Sequence, residues 1–314
     1  YIQYGNVPTP HCIFKNCTKI KPGHYLKINL KNKSQEEVQY WNVYDFYNKP
    51  KLNLSFPEAK IQTKEILKSA FNYRMVADVP VGVFLSGGYD STTVTSLIQA
   101  QSTTKVKTFT IGVPDIGLNE APYARDIAKY LGTEHTEINC TEKEAIEMIK
   151  DLPFFYDEPF ADSSAIPTTL VSKEARKDVT VALSADGGDE VFGGYNRYDY
   201  MYRYGKTLNL IPNAIGKFLA GAMNNIPSEK IPILKNKYNF HNRYERLKTF
   251  LKNSNKKEIM LNLSQQFNDE QMKSVMKSEF KSLPTMFQSK EMLENFKSPL
   301  SYMMAIDFQT YMLD

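Results

Sequence analysis

Between residues 79 and 184 the chain alternates apolar runs of strand length with amphipathic stretches of helical length. "VPVGVFL" (79–85) is continuously apolar, the pattern of a strand buried on both faces. After it come a helix over "STTVTSLIQAQ" (91–101), a strand over "VKTFTIGV" (106–113), a helix over "EAPYARDIAKYLG" (120–132) and a strand over "EHTEIN" (134–139). Helices over 141–152 and 166–178 and a strand over "VTVALS" (179–184) complete the series. Strands that alternate with helices imply right-handed crossovers and a parallel sheet, so the fold class is α/β with flanking helices. Ligands of such sheets bind at the carboxyl ends of the strands.

The flanks read differently. Residues 55–72 form a predicted helix, with Ser55 as cap, Pro57 in the first turn and apolar residues at Ile61, Ile66, Leu67 and Ala70. Residues 1–47 read as short extended segments: "HYLKINL" alternates, Pro8, Pro10 and Pro22 punctuate, and "YWNVYDFY" is aromatic-rich. Beyond about residue 200 strand signals fade into helical segments. The expected organisation is therefore 1–47, a core over 48–200 and a helical extension over 201–314.

With 314 residues, 42% of them hydrophobic, the chain can fill a sizeable core. Lys and Arg number 39 against 35 Asp and Glu, a formal charge of +4 without a dense basic block, which speaks against a dedicated nucleic-acid binder. Cys12, Cys17 and Cys140 make no CxxC pair, against a disulfide framework or structural zinc, and a reducing cytoplasm fits. The histidines form no HExxH. The most hydrophobic late stretch, "LIPNAIGKFLAGAM", is broken by Pro212 and Lys217, so no membrane span is expected. The chain starts at Tyr1 without Met or a signal-peptide pattern, and it reads as a piece of a longer protein.

Two turns carry candidate chemistry. "FLSGGYDSTTV" (84–94) places two glycines directly after a buried strand, which lets the backbone turn tightly and present N–H groups to an anion at the start of a helix. Ser86 and Ser91 add hydroxyl donors. Asp90 would repel a bare phosphate and makes sense beside a cation, most simply Mg²⁺. Taken alone, Gly-Gly after a strand is equally an ordinary tight turn. "VALSADGGDEVFGGYNRY" (181–198) repeats the logic after another strand, with Asp186, Asp189 and Glu190 among paired glycines. Neither GxxxxGK[ST] nor GxGxxG occurs.

"SGGYDS" (86–91) is similar to the pyrophosphate-binding loop of the N-type ATP pyrophosphatases. Together with "LSADGGDEVFGGY" (183–195), "NEAPYARDIAKYLGTEH" (119–135) and "YDEPFADSSAIPT" (156–168) it resembles the synthetase domain of glutamine-hydrolysing asparagine synthetases. "YGNVPTPHCIFKNCTKIKPGHYLKI" (4–28) and "YWNVYDFY" (40–47) resemble the end of that family's amino-terminal glutaminase domain. The resemblance implies a five-stranded parallel sheet of the adenine-nucleotide alpha-hydrolase type. It also implies ATP-dependent amide formation: an aspartate side-chain carboxylate attacks the α-phosphorus of ATP, pyrophosphate leaves, and glutamine-derived ammonia displaces AMP.

By that resemblance Ser86, Gly87, Gly88 and Ser91 cradle pyrophosphate, and Asp90 and Asp189 hold Mg²⁺. Leu85 and Ile111 contact adenosine, unless they are simply core residues. Ser184, Ala185 and Gly187 line the nucleotide or acyl-adenylate. Asp186 and Glu158 are the candidate catalytic carboxylates; Glu158, before Pro159 on a predicted connection, is alternatively a solvated loop residue. Arg125 and Glu120 read as structural, as do Tyr195 and Arg197. The implied partners are ATP, aspartate or another carboxylic acid, and ammonia, with no nucleic acid and no membrane; a homodimer is compatible.

One departure matters. Where the family carries Ser-Gly-Glu-Gly, this chain reads Ser184-Ala185-Asp186-Gly187. A retracted carboxylate displaced by ~1 Å can cost ~10²-fold in rate, so either the site is rebuilt or the acceptor differs. A β-lactam synthetase-like enzyme or one that amidates a surface sugar acid is the alternative within the same chemistry. A tRNA-modifying pyrophosphatase fits the charge and cysteines poorly, and a scaffold fits the retained aspartates poorly. The glutaminase nucleophile and the later basic residues that close the family's site are expected outside this chain, and Cys12 and Cys17 sit in the wrong context for the former.

Overall fold

The computed structural model describes residues 1–114, 119–231, 240–252, 255–277, 283–296 and 298–312. Parts of the expected helical extension, 232–239 and 278–282 among them, lie outside these. The chain forms two compact units, one of Tyr1–Lys49 with Gly187–Asp314 and one of Pro50–Asp186.

In the first unit β1 (His24–Ile28) and β2 (Gln35–Gln39) pair antiparallel, His24 opposite Gln39. "YWNVYDFY", expected to be extended, instead turns helical as α1 (Val43–Tyr47). Asn42 caps it by accepting the Tyr44 N–H at 3.0 Å, which satisfies one of the donors a helix start leaves open.

The second unit begins with α2 (Phe56–Met75), whose start is a capping box: Glu58 accepts the Ser55 N–H at 2.8 Å and hydroxyl at 2.6 Å. There follow β3 (Val81–Phe84), α3 (Tyr89–Gln99), β4 (Lys107–Gly112), α4 (Ala121–Leu131), β5 (Glu134–Asn139), α5 (Glu142–Ile149), α6 (Leu152–Phe155), α7 (Ala165–Ala175) and β6 (Val181–Leu183). The helix expected over 141–152 is two, because Pro153 opens a new one rather than continuing the old.

The four strands pair parallel in the order β5-β4-β3-β6. The α/β class with a parallel sheet and flanking helices holds, but among the described residues the parallel sheet has four strands, not five. Between residues 79 and 184 the hydrophobic pattern itself offers only these four strand-length runs, and the fifth strand is an expectation from the resemblance alone.

Alternation along the strands sorts the core into layers. Val83 packs with Val94 and Ile98 of α3, Val106 and Phe71 of α2, and Leu85 with Ala124 and Ala128 of α4. On the opposite face Phe109 and Phe84 meet Val171 and Ala175 of α7. Gly82 is required there, since a Cβ would come within 2.7 Å of the Phe109 ring.

The first unit continues with α8 (Gly188–Phe192), α9 (Asn196–Leu210), α10 (Asn213–Asn224), α11 (Phe240–Lys252), α12 (Lys256–Ser264), α13 (Asp269–Val275), α14 (Lys290–Asn295) and α15 (Pro299–Gln309). Tyr302, Met303, Ala305, Ile306 and Asp307 of α15 are all buried, so this helix is the centre of a core that also takes Tyr44, Tyr198, Met201, Ile259 and Met260. Among the described residues no helix is long and apolar enough to cross a membrane.

Candidate active site

The turn after β3 is built around two hydroxyls. The Leu85 N–H still pairs with the Phe109 carbonyl at 2.9 Å, after which Gly87 takes φ +89° and reverses the chain. Ser91 Oγ accepts the Ser86 N–H at 3.1 Å and lies 2.9 Å from Ser86 Oγ, which in turn accepts the Gly88 N–H at 3.3 Å. Gly88 caps α3. The first-turn N–H groups of α3 have no carbonyl one turn back to bond, so with the helix dipole they favour an anion. Asp90, exposed on that same turn, disfavours one unless a cation accompanies it.

The turn after β6 closes on itself. Ser184 Oγ donates to Asp186 Oδ2 at 2.5 Å and accepts the Asp186 N–H at 3.2 Å. Ala185 packs against the Val83 cluster. β3 and β6 are neighbours, and the strand order reverses between them: β4 and β5 continue to one side of β3 and β6 lies on the other. In open α/β sheets this reversal is where ligands bind. The structure thus brings Ser86–Ser91 and Ser184–Asp186 to the carboxyl ends of adjacent parallel strands.

The remaining sequence-predicted residues of this unit fare unequally. Leu85 is 1% exposed and its side chain lies in the core with Ala124 and Ala128, so only its backbone can meet a nucleotide. Ile111 is half-buried, packing against Phe109 and Val171. Glu158 lies half-buried in the bend between α6 and α7, off any helix.

In the other unit Gly187, at φ +91°, caps α8, and Asp189 occupies its first turn. The Asp189 carbonyl accepts the N–H groups of Gly193 at 2.8 Å and Gly194 at 3.0 Å, and a Cβ on Gly194 would collide with the Asp189 carboxylate. Glu190 is 3% exposed: Oε1 accepts the Tyr195 hydroxyl at 2.8 Å, and Oε2 is buried without a partner. The Arg197 guanidinium lies 4.3 Å over the Tyr195 ring and pairs with the wholly buried Asp307, Nε to Oδ2 at 3.1 Å and Nη2 to Oδ2 at 3.0 Å. Tyr198 donates to the same Oδ2 at 2.6 Å.

Asp307 is the residue that sequence reasoning missed. A signal existed: it is the one charge inside the otherwise apolar "YMMAIDF", and a charge in such a run is buried and partnered or absent.

Asp90 in one unit and Asp189 in the other each offer hard carboxylate oxygens on a first helical turn, donors of the kind magnesium takes. Among the described residues no cluster of three His, Cys, Asp or Glu forms a protein-only cage. Magnesium does not need one, because it is commonly held by one or two carboxylates with phosphate and water oxygens completing the shell.

The family model for asparagine synthase matches residues 62–314. The chain belongs to the asparagine synthase family. It is 38% identical over 221 residues to a Methanocaldococcus jannaschii protein provisionally named asparagine synthetase (glutamine-hydrolyzing) 2, covering 67% of this chain and 41% of that one. It is 32% identical over 221 residues to asparagine synthetase (glutamine-hydrolyzing) 1 of Bacillus subtilis, covering 70% of this chain and 34% of that one. The chain therefore spans well under half the length of these relatives. A solved structure of NH₃-dependent NAD synthetase from Campylobacter jejuni aligns over 61% of this chain and 95% of its own, with a TM-score of 0.31 and 14% identity, too little to add to the sheet topology.

Proposed function

We propose that this chain carries the synthetase half of an asparagine synthetase and forms an amide through an acyl-adenylate, consuming ATP and ammonia and releasing AMP and pyrophosphate. The observation that carries the reading is the turn after β3. Gly87 has no room for a side chain, Ser86 and Ser91 are bonded to one another, and α3 begins at the sheet's reversal point, where a helix start leaves its first-turn N–H groups without intrahelical partners.

In this reading those N–H groups and hydroxyls hold the pyrophosphate of ATP, so that negative charge developing on the leaving group meets donors already in place. Magnesium, for which Asp90 and Asp189 are the proposed ligands, neutralises phosphate charge when bound. The backbone beside Leu85 and Ile111 faces adenosine, and Ser184, Ala185 and Gly187 line the acyl-adenylate. Asp186 orients the amine nucleophile or neutralises its charge, and Glu158 serves as a second carboxylate. Ammonia comes from glutamine hydrolysed by a glutaminase segment of the whole protein. Aspartate is the proposed acceptor.

A second reading has a specific observation in its favour. Asp186 is shorter than the family's glutamate, and its carboxylate is turned back onto Ser184. A relative that amidates a different carboxylic acid would tolerate or require that change.

Product analysis by mass spectrometry separates the two. The full-length protein is incubated with ATP, Mg²⁺, ammonium and aspartate. AMP, pyrophosphate and asparagine together support the first reading. AMP and an amide only with another acid support the second, and no AMP with any acid overturns both.

A further inference from the structure

We propose that Asp307 is a positioning residue that keeps Arg197 away from Glu190 and so fixes the Asp189–Tyr195 turn. Three charges share one cluster: the buried carboxylates of Asp307 and Glu190 and the partly exposed guanidinium of Arg197. The guanidinium is committed to Asp307, whose Oδ2 takes Arg197 Nε and the Tyr198 hydroxyl. Glu190 is left to Tyr195 through Oε1, with Oε2 buried and unpartnered. The Tyr195 ring is held beneath the guanidinium, which also lies 5.0 Å from the Tyr311 ring.

Without the Asp307 charge the remaining buried carboxylate of the cluster is Glu190, and a cation that is largely out of water and loses its anion is destabilised. Arg197 would then turn to the vacant Oε2, break the Tyr195–Glu190 bond and drag the end of α8. That segment carries Asp189 and is closed by the Gly193 and Gly194 bonds to the Asp189 carbonyl. Asp307 is faced by Arg197 and Tyr198 of α9 and Glu190 of α8. Farther along α15, Tyr44 of α1 and Glu258 of α12 act on Tyr302, and Phe287 and Met292 present apolar surface. The bearing of this device on catalysis rests on the reading of Asp189 as a metal carboxylate, but its existence does not.

Hydrogen exchange of the full-length protein, read by mass spectrometry over 187–198, tests it without ATP or metal. Asp307→Asn is expected to speed exchange of the Val191, Gly193 and Gly194 amides by about tenfold, as a local opening would. The double variant Asp307→Asn with Glu190→Gln is expected to return close to the unsubstituted rate, because the competing carboxylate is gone. An unchanged rate in Asp307→Asn, or equal loosening in the double variant, overturns the proposal. Should Asp307→Asn not fold, the unsubstituted protein and Glu190→Gln are compared between pH 7.5 and 5.5 after correction for intrinsic exchange. Loosening on acidification in the first and not the second supports the proposal, and equal responses overturn it. Absence of AMP in the product assay would sink the catalytic reading alone.

Discussion

The Cβ that Gly87 lacks would fall 2.9 Å from the Cβ of Tyr123 and 3.0 Å from the backbone nitrogen of Ala124, so the turn after β3 is wedged against the start of α4. Gly88 is different: its φ is −72°, and a Cβ there would meet only Ser86 Oγ, at 3.4 Å.

Gly87→Ala should therefore cost stability twice, through a left-handed backbone at about 1–2 kcal/mol and through a contact with backbone that cannot yield. Gly88→Ala should cost the fold under about 1 kcal/mol, since neither burden applies. Chemical denaturation of the two variants checks the ranking, and a Gly88 variant less stable than the Gly87 one would contradict the packing of this turn.

Asp186 offers a sharper test of chemistry. Its carboxylate is bonded to Ser184 and stands in the turn after β6, far in sequence from the Ser86 and Ser91 hydroxyls. If it acts on the incoming amine, Asp186→Asn should still exchange labelled pyrophosphate into ATP in the presence of the acid. Amide formation should meanwhile fall by roughly 10²-fold, the scale of a lost positioned general base or orienting group. Amide formation unchanged in the variant would remove Asp186 from the mechanism.

Much of the second unit was legible because its signals are local. The run 134–139 is a strand over those very residues, and the turn chemistry after residues 85 and 184 sits where apolar runs end. Two kinds of feature were not legible. Leu85 reads as a strand-end contact, but only the packing of α4 shows its side chain turned into the core. The Arg197–Asp307 pair joins residues 110 apart in the chain, and periodicity carries no information about partners at that separation. Helix α1 was missed because a five-residue helix capped by one Asn leaves almost no periodic trace.

Asp307 makes a prediction about stability as well as position. Burial first, with Glu190 adding to it and Arg197 and Tyr198 opposing, pushes its carboxyl from 3.8 up to about 6. Between those values the folded state holds the proton more tightly than the unfolded chain, so this group's contribution to stability falls as pH rises from about 4 to about 6. A shift of that size corresponds to about 3 kcal/mol at most. Denaturation at several pH values should show the fall in the unsubstituted protein and its absence in Asp307→Asn. The ionised carboxylate thus costs stability in the pH range where it holds Arg197 in place.

His135 should give the opposite slope in the other unit. Its Nδ1 lies 2.9 Å from Thr108 Oγ1, while Nε2 is buried with no partner. Burial, aided by Arg125 and opposed by Glu137, lowers its pKa below the ordinary 6.5. Below pH 6.5 the unfolded chain takes up a proton that the folded one refuses until lower pH, so stability is full above 6.5 and is lost as pH falls. Exchange of the β4 and β5 amides, corrected for intrinsic rates, should therefore quicken on going from pH 7.5 to 5 in the unsubstituted protein. In His135→Leu that pH trend should flatten even though the variant loses the Thr108 contact and is less stable throughout. A trend that survives the substitution would place the responsible group elsewhere in the sheet.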